Sequence, residues 1–175
     1  LHILEAMRKH NVPKIIFVSS SSVYAGREGL LKEDNDLAPP HPYGVGKLAG
    51  EHYVRVYNEL FGIKQVTLRF FSVYGPRKLG TIDKEGVVAK FIHQARNEDP
   101  VTGYGDGSHQ RNFTFVGDVV RCWLLANENK EAERHIVNIS NPEEISVKQL
   151  ADKILALTKS KSKISSEPLP PGDPP

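Results

Sequence analysis

Tyr43 and Lys47 are two residues whose types and spacing could do chemistry together. They lie four positions apart, and on a helix this spacing places both side chains on the same face. An ammonium group beside a phenol stabilises the phenolate, so the pair is a candidate general base near neutral pH. Tyr74 and Lys78 repeat the spacing, but Pro76 lies between them and disfavours a helix. By itself, the spacing also fits an exposed tyrosine beside a lysine with no catalytic role.

A second group of candidate residues is a run of four serines, Ser19 to Ser22, which directly follows the apolar residues 15–18. A short apolar run of this kind is typical of a strand in a buried parallel sheet. In doubly wound α/β folds, ligands bind beyond the carboxyl ends of such strands. The serines, and residues 72–77 after the next apolar run, are therefore candidate ligand contacts.

The elements that must position these residues alternate between helices and short apolar strands, which predicts an α/β fold with a doubly wound parallel sheet. On the helix that carries Tyr43, we expect one face to pack inward, roughly opposite Tyr43 and Lys47. That face carries Val45, Ala49, His52 and Val56. The predicted strands cover 14–18, 65–71 and 136–139, and the predicted helices cover 42–61, 84–97, 119–127 and 147–158, the last with Ser146 as its N-cap.

The composition is that of an ordinary globular protein, with 175 residues, 39 % hydrophobic and 25 % charged. The net charge of +2 is too small to indicate a nucleic acid or an anionic membrane as partner. The single cysteine, Cys122, excludes an internal disulfide, and without an apolar run of membrane-spanning length or a signal peptide the sequence predicts a cytoplasmic protein. The histidines show no metal-binding spacing, and no G-x-S-x-G elbow indicates a serine hydrolase.

Several blocks of the sequence occur in an order and at intervals that resemble the extended short-chain dehydrogenase/reductase family. The blocks are VSSSSVYAG, HPYGVGKLAGE, LRFFSVYGPR, GYGDGSHQRNFTFVGDVV and NISNPEEISVKQLA. Together they span nearly the whole chain. Within that family the chain resembles the NAD-dependent epimerase/dehydratase group, and most of all the UDP-glucose and UDP-glucuronate 4-epimerases.

The resemblance implies a role for each residue of the candidate base. Tyr43 is expected to take the proton from the sugar 4-hydroxyl while a hydride leaves carbon 4 for the nicotinamide of NAD. The 4-keto sugar is then expected to turn and receive the hydride on its other face. Lys47 is expected to hold the nicotinamide ribose and favour the phenolate, and Ser20 to hydrogen-bond the reacting sugar oxygen. The implied NAD contacts are Tyr43, Lys47, Ser19 and Phe70.

The resemblance also implies contacts to a UDP-linked sugar. The implied contacts are Ser20, Ser21, Ser22, Ser72, Val87, Tyr104 and Arg111. Arg111 matches an arginine that grips the nucleotide diphosphate, a task that suits a guanidinium. Tyr104 is either a base-stacking residue or a turn residue, and Ser72, where many relatives carry Asn, is either a substrate contact or a strand-end cap. Ser21 and Ser22 stand where the 4,6-dehydratases of the family carry Asp and Glu, which disfavours a dehydratase.

The glycine-rich dinucleotide fingerprint of the family is absent from the sequence, and the resemblance places it upstream of Leu1. We therefore expect a fragment lacking both termini, formed by the C-terminal half of a Rossmann-type domain and an interleaved smaller substrate-binding lobe. The expected NAD-binding part is 1–74 with 114–140, and the expected nucleotide-sugar lobe is 75–113 with 141–175.

The resemblance further implies that the fragment alone is inactive and that the full-length enzyme is a homodimer. Tyr53, Tyr57 and Phe61 are candidates either for the dimer interface or for the core. Three alternatives to an epimerase stay open at this point. They are a decarboxylase or a dehydratase of the same family, and a non-catalytic member that binds a dinucleotide for regulation.

Overall fold

The computed structural model describes residues 1–24, 29–78 and 86–168. The helices are α1 (His2–Lys9), α2 (Pro42–Phe61), α3 (Val87–Arg96), α4 (Val116–Glu128) and α5 (Val147–Thr158). The strands are β1 (Lys14–Ser20), β2 (Lys64–Phe70), β3 (Val73–Tyr74), β4 (Val101–Tyr104), β5 (Gln110–Asn112), β6 (Thr114–Phe115), β7 (Ile136–Ile139), β8 (Glu144–Ser146) and β9 (Ile164–Glu167). The predicted α/β class with parallel strands is confirmed.

The chain folds as two compact units. Unit 1 comprises Leu1–Phe71 with Gly117–Ser140, and unit 2 comprises Ser72–Val116 with Asn141–Pro175.

Unit 1 is built on a parallel sheet of three strands in the order β1-β2-β7. The central strand β2 is buried on both faces, as Val66 and Leu68 show for one face and Thr67 and Arg69 for the other, and it has a paired neighbour along each edge. Helix α2 begins with Pro42 at its first position, where a missing N–H costs nothing, and ends at Gly62, whose φ of +70° suits a left-handed cap.

The inward face of α2 differs from the predicted one. Val45, Ala49 and His52 are exposed, and the buried positions of the helix are Gly44, Glu51, Val54 and Tyr57. The hydrophobic pattern missed this face because it contains two residues without large apolar side chains. Val54 and Tyr57 pack with Leu4, Met7 and Ile63, which makes Tyr57 a core residue of unit 1.

Several element boundaries also differ from the prediction. β1 continues through Ser19 and Ser20, because main-chain pairing with β2 carries on to Ser20 regardless of side-chain polarity. α4 begins at Val116 rather than Val119. The predicted start of α3 at Lys84 lies outside the described residues.

Unit 2 contains short strand pairs and two packed helices. β3 pairs with β6 and β4 with β9 in parallel, whereas β5 pairs with β8 antiparallel. Its core joins α3 to α5 and β4 through Phe91, Ala95, Val101, Val147, Leu150, Ala151 and Ile154. The predicted N-cap is confirmed, since the Ser146 hydroxyl accepts the Gln149 N–H and the Gln149 side chain accepts the Ser146 N–H.

Candidate active site

The serine run of unit 1 folds into a compact cluster at the carboxyl end of β1. Ser20 lies opposite Phe70 of β2, so two predicted contact residues share one position of the sheet edge. The Ser20 hydroxyl donates to Ser22 Oγ at 3.1 Å and accepts the Ser22 backbone N–H at 3.2 Å. Ser21 and Ser22 begin the 3₁₀ turn Ser21–Tyr24. The hydroxyl groups of Ser20, Ser21 and Ser22 therefore lie close to the carboxyl end of β1.

The Lys47 ammonium is fixed at the same strand end. Its Nζ donates to the Val18 carbonyl oxygen at 2.9 Å and lies 5.6 Å from the centroid of the Tyr43 ring. The Tyr43 side chain is 60 % exposed, so its phenol is open to an incoming molecule. An ammonium has three donors, and the bond to Val18 uses one of them. Lys47 thus keeps donors for a ligand while its position beside Tyr43 is held by the backbone of β1.

A buried ion pair lies one helical turn further along α2. Arg69 of β2 donates to both carboxylate oxygens of Glu51, from Nη2 at 2.7 Å and from Nε at 3.0 Å. Arg69 is 1 % exposed and Glu51 5 % exposed. Arg69 Nη1 also donates to the Tyr24 hydroxyl at 2.6 Å. Burial alone would lower the pKa of Arg69, but the hydrogen bonds to Glu51 and Tyr24 outweigh it and raise that pKa above its usual value.

The ion pair reaches the serine cluster through Ser19. The Ser19 hydroxyl donates to Glu51 Oε1 at 2.5 Å and is itself buried. A contact between Ser19 and a cofactor would therefore use its backbone. The sequence reasoning missed Glu51 and Arg69, although two signals were available: Glu51 continues the spacing of Tyr43 and Lys47, and Arg69 interrupts an apolar strand.

Unit 2 encloses a cavity of about 580 Å³. Four of the predicted substrate contacts line it, namely Ser72, Val87, Tyr104 and Arg111. Most of its wall is apolar, including Phe113. Three further groups that the sequence reasoning did not select also line it, namely Lys78, Lys90 and His109. No carboxylate among the described residues lines this cavity, so its polar groups are suited to an anion.

Three residues that line the cavity, Lys90, Arg111 and Ser72, each make a contact or hydrogen bond that holds them in place. Lys90 Nζ lies 4.7 Å from the centroid of the Tyr104 ring, and Arg111 Nη1 donates to the Gln110 carbonyl oxygen at 2.9 Å. Ser72 has a φ of +33°, and its carbonyl oxygen accepts the Thr114 N–H at 3.3 Å. This bond ties Ser72 to the short strand pair of unit 2 and leaves its exposed side chain beside the cavity.

Other kinds of site are not found in the described part of the chain. Within residues 1–24, 29–78 and 86–168, no three acidic, histidine or cysteine side chains are grouped so that they could hold a metal ion. In the same residues, none of the helices combines the length and apolar character needed to cross a membrane.

The model of the NAD dependent epimerase/dehydratase family matches residues 1–140. The chain belongs to this family. It is 36 % identical to an uncharacterized UDP-glucose epimerase of Bacillus subtilis over 172 residues, which cover 95 % of this chain and 53 % of that protein. It is 32 % identical to a UDP-glucuronate 4-epimerase of Thermodesulfobacterium geofontis, covering 93 % of this chain and 49 % of that one.

The fold is similar to solved members of the same family. The crystal structure of a UDP-glucuronic acid 4-epimerase from Bacillus cereus, in complex with UDP-glucuronic acid and NAD, superposes with a TM-score of 0.90 at 34 % identity. The match covers 98 % of this chain and 54 % of that structure. Decarboxylases and 4,6-dehydratases of nucleotide sugars are matched as well. The chain spans about half the length of the relatives it matches.

NAD is the cofactor of this family, and relatives have been solved with it. The residues of unit 1 fit one end of such a molecule. Lys47 offers free donors beside the strand end that carries Ser20 and Phe70, which suits the hydroxyl groups of a ribose. The sequence holds no glycine-rich strand-to-helix turn for a pyrophosphate, so the fit is limited to the nicotinamide side.

Proposed function

We propose that this family member takes part in NAD-dependent epimerisation of a nucleotide sugar at carbon 4, with a UDP-hexose or UDP-hexuronate as substrate. The observation that carries the proposal is the hydrogen bond from Lys47 to the Val18 carbonyl, which holds the ammonium beside Tyr43 at the end of the serine-bearing strand. Positioning of this kind is what a tyrosine base needs, because a nearby cation stabilises the phenolate.

In this proposal the residues of unit 1 transfer a proton and bind the reacting hydroxyl group of the sugar. Tyr43 takes the proton from the sugar 4-hydroxyl and returns it after the 4-keto intermediate has turned. Ser20 hydrogen-bonds the same oxygen, and Lys47 binds the ribose and stabilises the phenolate. NAD, when bound, supplies the hydride chemistry. Phe70 and the backbone of Ser19 contact it at the sheet edge.

The residues of unit 2 bind the nucleotide end of the substrate in this proposal. Arg111 contacts the diphosphate, Tyr104 stacks on the base, and Val87 provides an apolar wall. Ser72 supplies one hydrogen bond to the substrate. The cavity supports these roles because it is apolar, of ligand size, and carries basic groups at its surface.

An epimerase is favoured over the other chemistries of the family by the residues that follow Ser20. A 4,6-dehydratase needs an acid and a base to eliminate water, and Ser21 and Ser22 offer two hydroxyl groups instead. A purely regulatory member would not need a lysine held beside Tyr43. A decarboxylase is distinguished by assay, since its product has lost a carbon.

The experiment that tests the proposal is an assay of the full-length protein that contains this chain. UDP-glucose, UDP-galactose and UDP-glucuronate are supplied, and epimer formation is followed by NMR. We expect Tyr43→Phe to lower kcat by about 10²- to 10⁴-fold, as loss of a general base does. Tyr53→Phe is the matched control, because Tyr53 lies on the same helix and is exposed. Normal turnover by Tyr43→Phe would refute the role of Tyr43.

We also propose that the 175 residues alone bind NAD weakly and catalyse no turnover, because they lack the glycine-rich turn. Calorimetric titration with NAD tests this directly, and NAD-dependent epimerisation by the isolated chain would contradict it. The homodimer and the cytoplasmic location remain predictions from the sequence.

A further inference from the structure

His109 lies in the wall of the unit 2 cavity, together with Arg111 of the neighbouring strand β5. Its backbone carbonyl accepts the Val147 N–H at 3.2 Å, which fixes the residue against the first turn of α5. The preceding turn is also held, since Asp106 Oδ1 accepts both the backbone N–H and the hydroxyl of Ser108. The imidazole is therefore presented to the cavity by backbone that is tied on both sides.

The charged groups around His109 are mostly basic. On the elements packed around it they are Asp106 in the turn, Arg111 on β5, Glu144 on β8, Lys148 on α5, Lys90 on α3 and Lys78 after β3. Burial and then Arg111 lower the pKa of His109, while Asp106 opposes them. The Asp106 carboxylate already accepts two hydrogen bonds from Ser108, which lower its own pKa. In the ligand-free cavity these influences favour the neutral imidazole, since they lower the pKa of His109.

A diphosphate in this cavity would reverse the balance of charge around His109. Two negative charges close to an imidazole favour its protonated form, and an opposite charge within about 4–6 Å shifts a pKa by roughly 1–3 units. An imidazolium also donates from both ring nitrogens, which suits phosphate oxygens.

We propose that His109 is a binding residue for the diphosphate of the nucleotide sugar, and that it takes up a proton from solvent when the ligand binds. The inference rests on the proposed function, because it requires that the cavity accept a nucleotide diphosphate. Protonated His109 binds the ligand more tightly than neutral His109. Affinity is therefore highest at low pH and falls as the pH rises from the pKa of free His109 to that of bound His109, by up to tenfold per pH unit.

The test is calorimetric titration of this chain with UDP-glucose between pH 5.5 and 8, in buffers with different ionisation enthalpies. UDP-glucose is a suitable probe because its diphosphate is esterified at both ends, and it lacks the second phosphate proton that titrates near pH 6 in a monoester. We expect up to one proton to be taken up per ligand bound near pH 7. His109→Gln should abolish the uptake and flatten the pH dependence of Kd.

His93→Gln is the matched control, because His93 also belongs to unit 2 but is exposed on α3 and contacts Asn97. It should keep the uptake of the wild type. The His109 ring resonance of the wild type provides a second measurement that needs no variant, and its titration midpoint should rise when UDP-glucose is added.

The two proposals fail in different ways. Binding of UDP-glucose without proton uptake, or with an unchanged His109 midpoint, would overturn the role of His109 and leave the proposed function intact. Absence of any UDP-glucose binding between pH 5.5 and 8 would overturn the proposed nucleotide cavity, and the role of His109 with it.

Discussion

Unit 1 and unit 2 both carry basic side chains at a candidate site. They differ in whether a carboxylate forms an ion pair with those side chains. In unit 1 the Arg69 guanidinium is buried and fully matched by the Glu51 carboxylate. In unit 2 Lys78, Lys90 and Arg111 line the cavity, and none of them forms an ion pair with a described carboxylate. The difference indicates that the buried charges of unit 1 fix geometry, whereas the basic groups of unit 2 are available to a ligand.

The largest expected effect is a loss of stability when the buried Arg69 loses the carboxylate that pairs with it. Glu51→Gln should lower the free energy of unfolding of unit 1 by about 3–5 kcal/mol, because it leaves the Arg69 charge buried without its partner. The measurement is urea unfolding followed by the fluorescence of Trp123, the single tryptophan, which lies in unit 1. Glu59→Gln is the control, since the Glu59–Arg55 pair on α2 is exposed and should contribute less than about 1 kcal/mol. Equal effects of the two substitutions would contradict the comparison.

The next effect concerns the charges of the cavity. Arg111→Met should weaken UDP-glucose binding by about 10- to 100-fold, corresponding to a charged hydrogen bond of about 1.5–3 kcal/mol. It should leave the thermal unfolding midpoint nearly unchanged, because no buried carboxylate depends on Arg111. Arg111→Lys should bind UDP-glucose with an affinity between those of the wild type and Arg111→Met, since lysine keeps the charge but lacks the planar guanidinium group. A loss of stability without a loss of affinity would show that Arg111 is structural.

A third effect addresses how α2 approaches the serine cluster. A methyl group at Gly44 would lie 2.5 Å from the Ser22 carbonyl oxygen and 2.7 Å from Pro39 Cβ. Gly44→Ala should therefore cost about 1–3 kcal/mol of stability through overpacking. Gly46→Ala, where the added methyl group meets nothing within 4 Å, should instead stabilise the helix by about 0.5–1 kcal/mol. Denaturant titration of both variants measures the contrast, and the same sign for both would refute the close packing at Gly44.

The smallest effect tests the support of the cavity wall. Ser146→Ala removes the N-cap of α5 and should cost about 1 kcal/mol, read from thermal unfolding by circular dichroism. Ser146→Asp keeps an acceptor for the Gln149 N–H and should restore most of that loss. An alanine variant as stable as the wild type would show that the capping box adds nothing.

The fold could be predicted from the sequence wherever a local signal determines the element. Pro42 and Gly62 mark the ends of α2, and Ser146 marks the start of α5. β9 could not be predicted, because its residues pair with β4 some 60 positions earlier and carry no strand pattern of their own.

In the candidate site, too, the residues related by local spacing could be predicted, whereas contacts between distant segments could not. Tyr43 and Lys47 lie on one helix, so their spacing reveals the pair. Glu51 appears in the sequence as a surface residue, because its partner Arg69 lies on a strand and only the fold brings them together. Lys90 lies on α3, in a segment separate from Arg111, and His109 lies two residues before Arg111 but showed no pattern of its own; only the fold places both in the cavity wall.

The two serines at the end of β1 have a consequence for strand register. Ser19 and Ser20 point to opposite faces, one toward Glu51 and the other toward Ser22. A slip of β1 by one residue in one direction would put Ser20 at the position of Ser19 and Ser21 at that of Ser20, so each face would still receive a hydroxyl group. The hydroxyl chemistry at this position therefore cannot distinguish that alignment from the right one. The register of β1 is instead determined by Phe17, whose ring packs against Gly50 of α2. Only a residue without a side chain leaves room for the ring at that position.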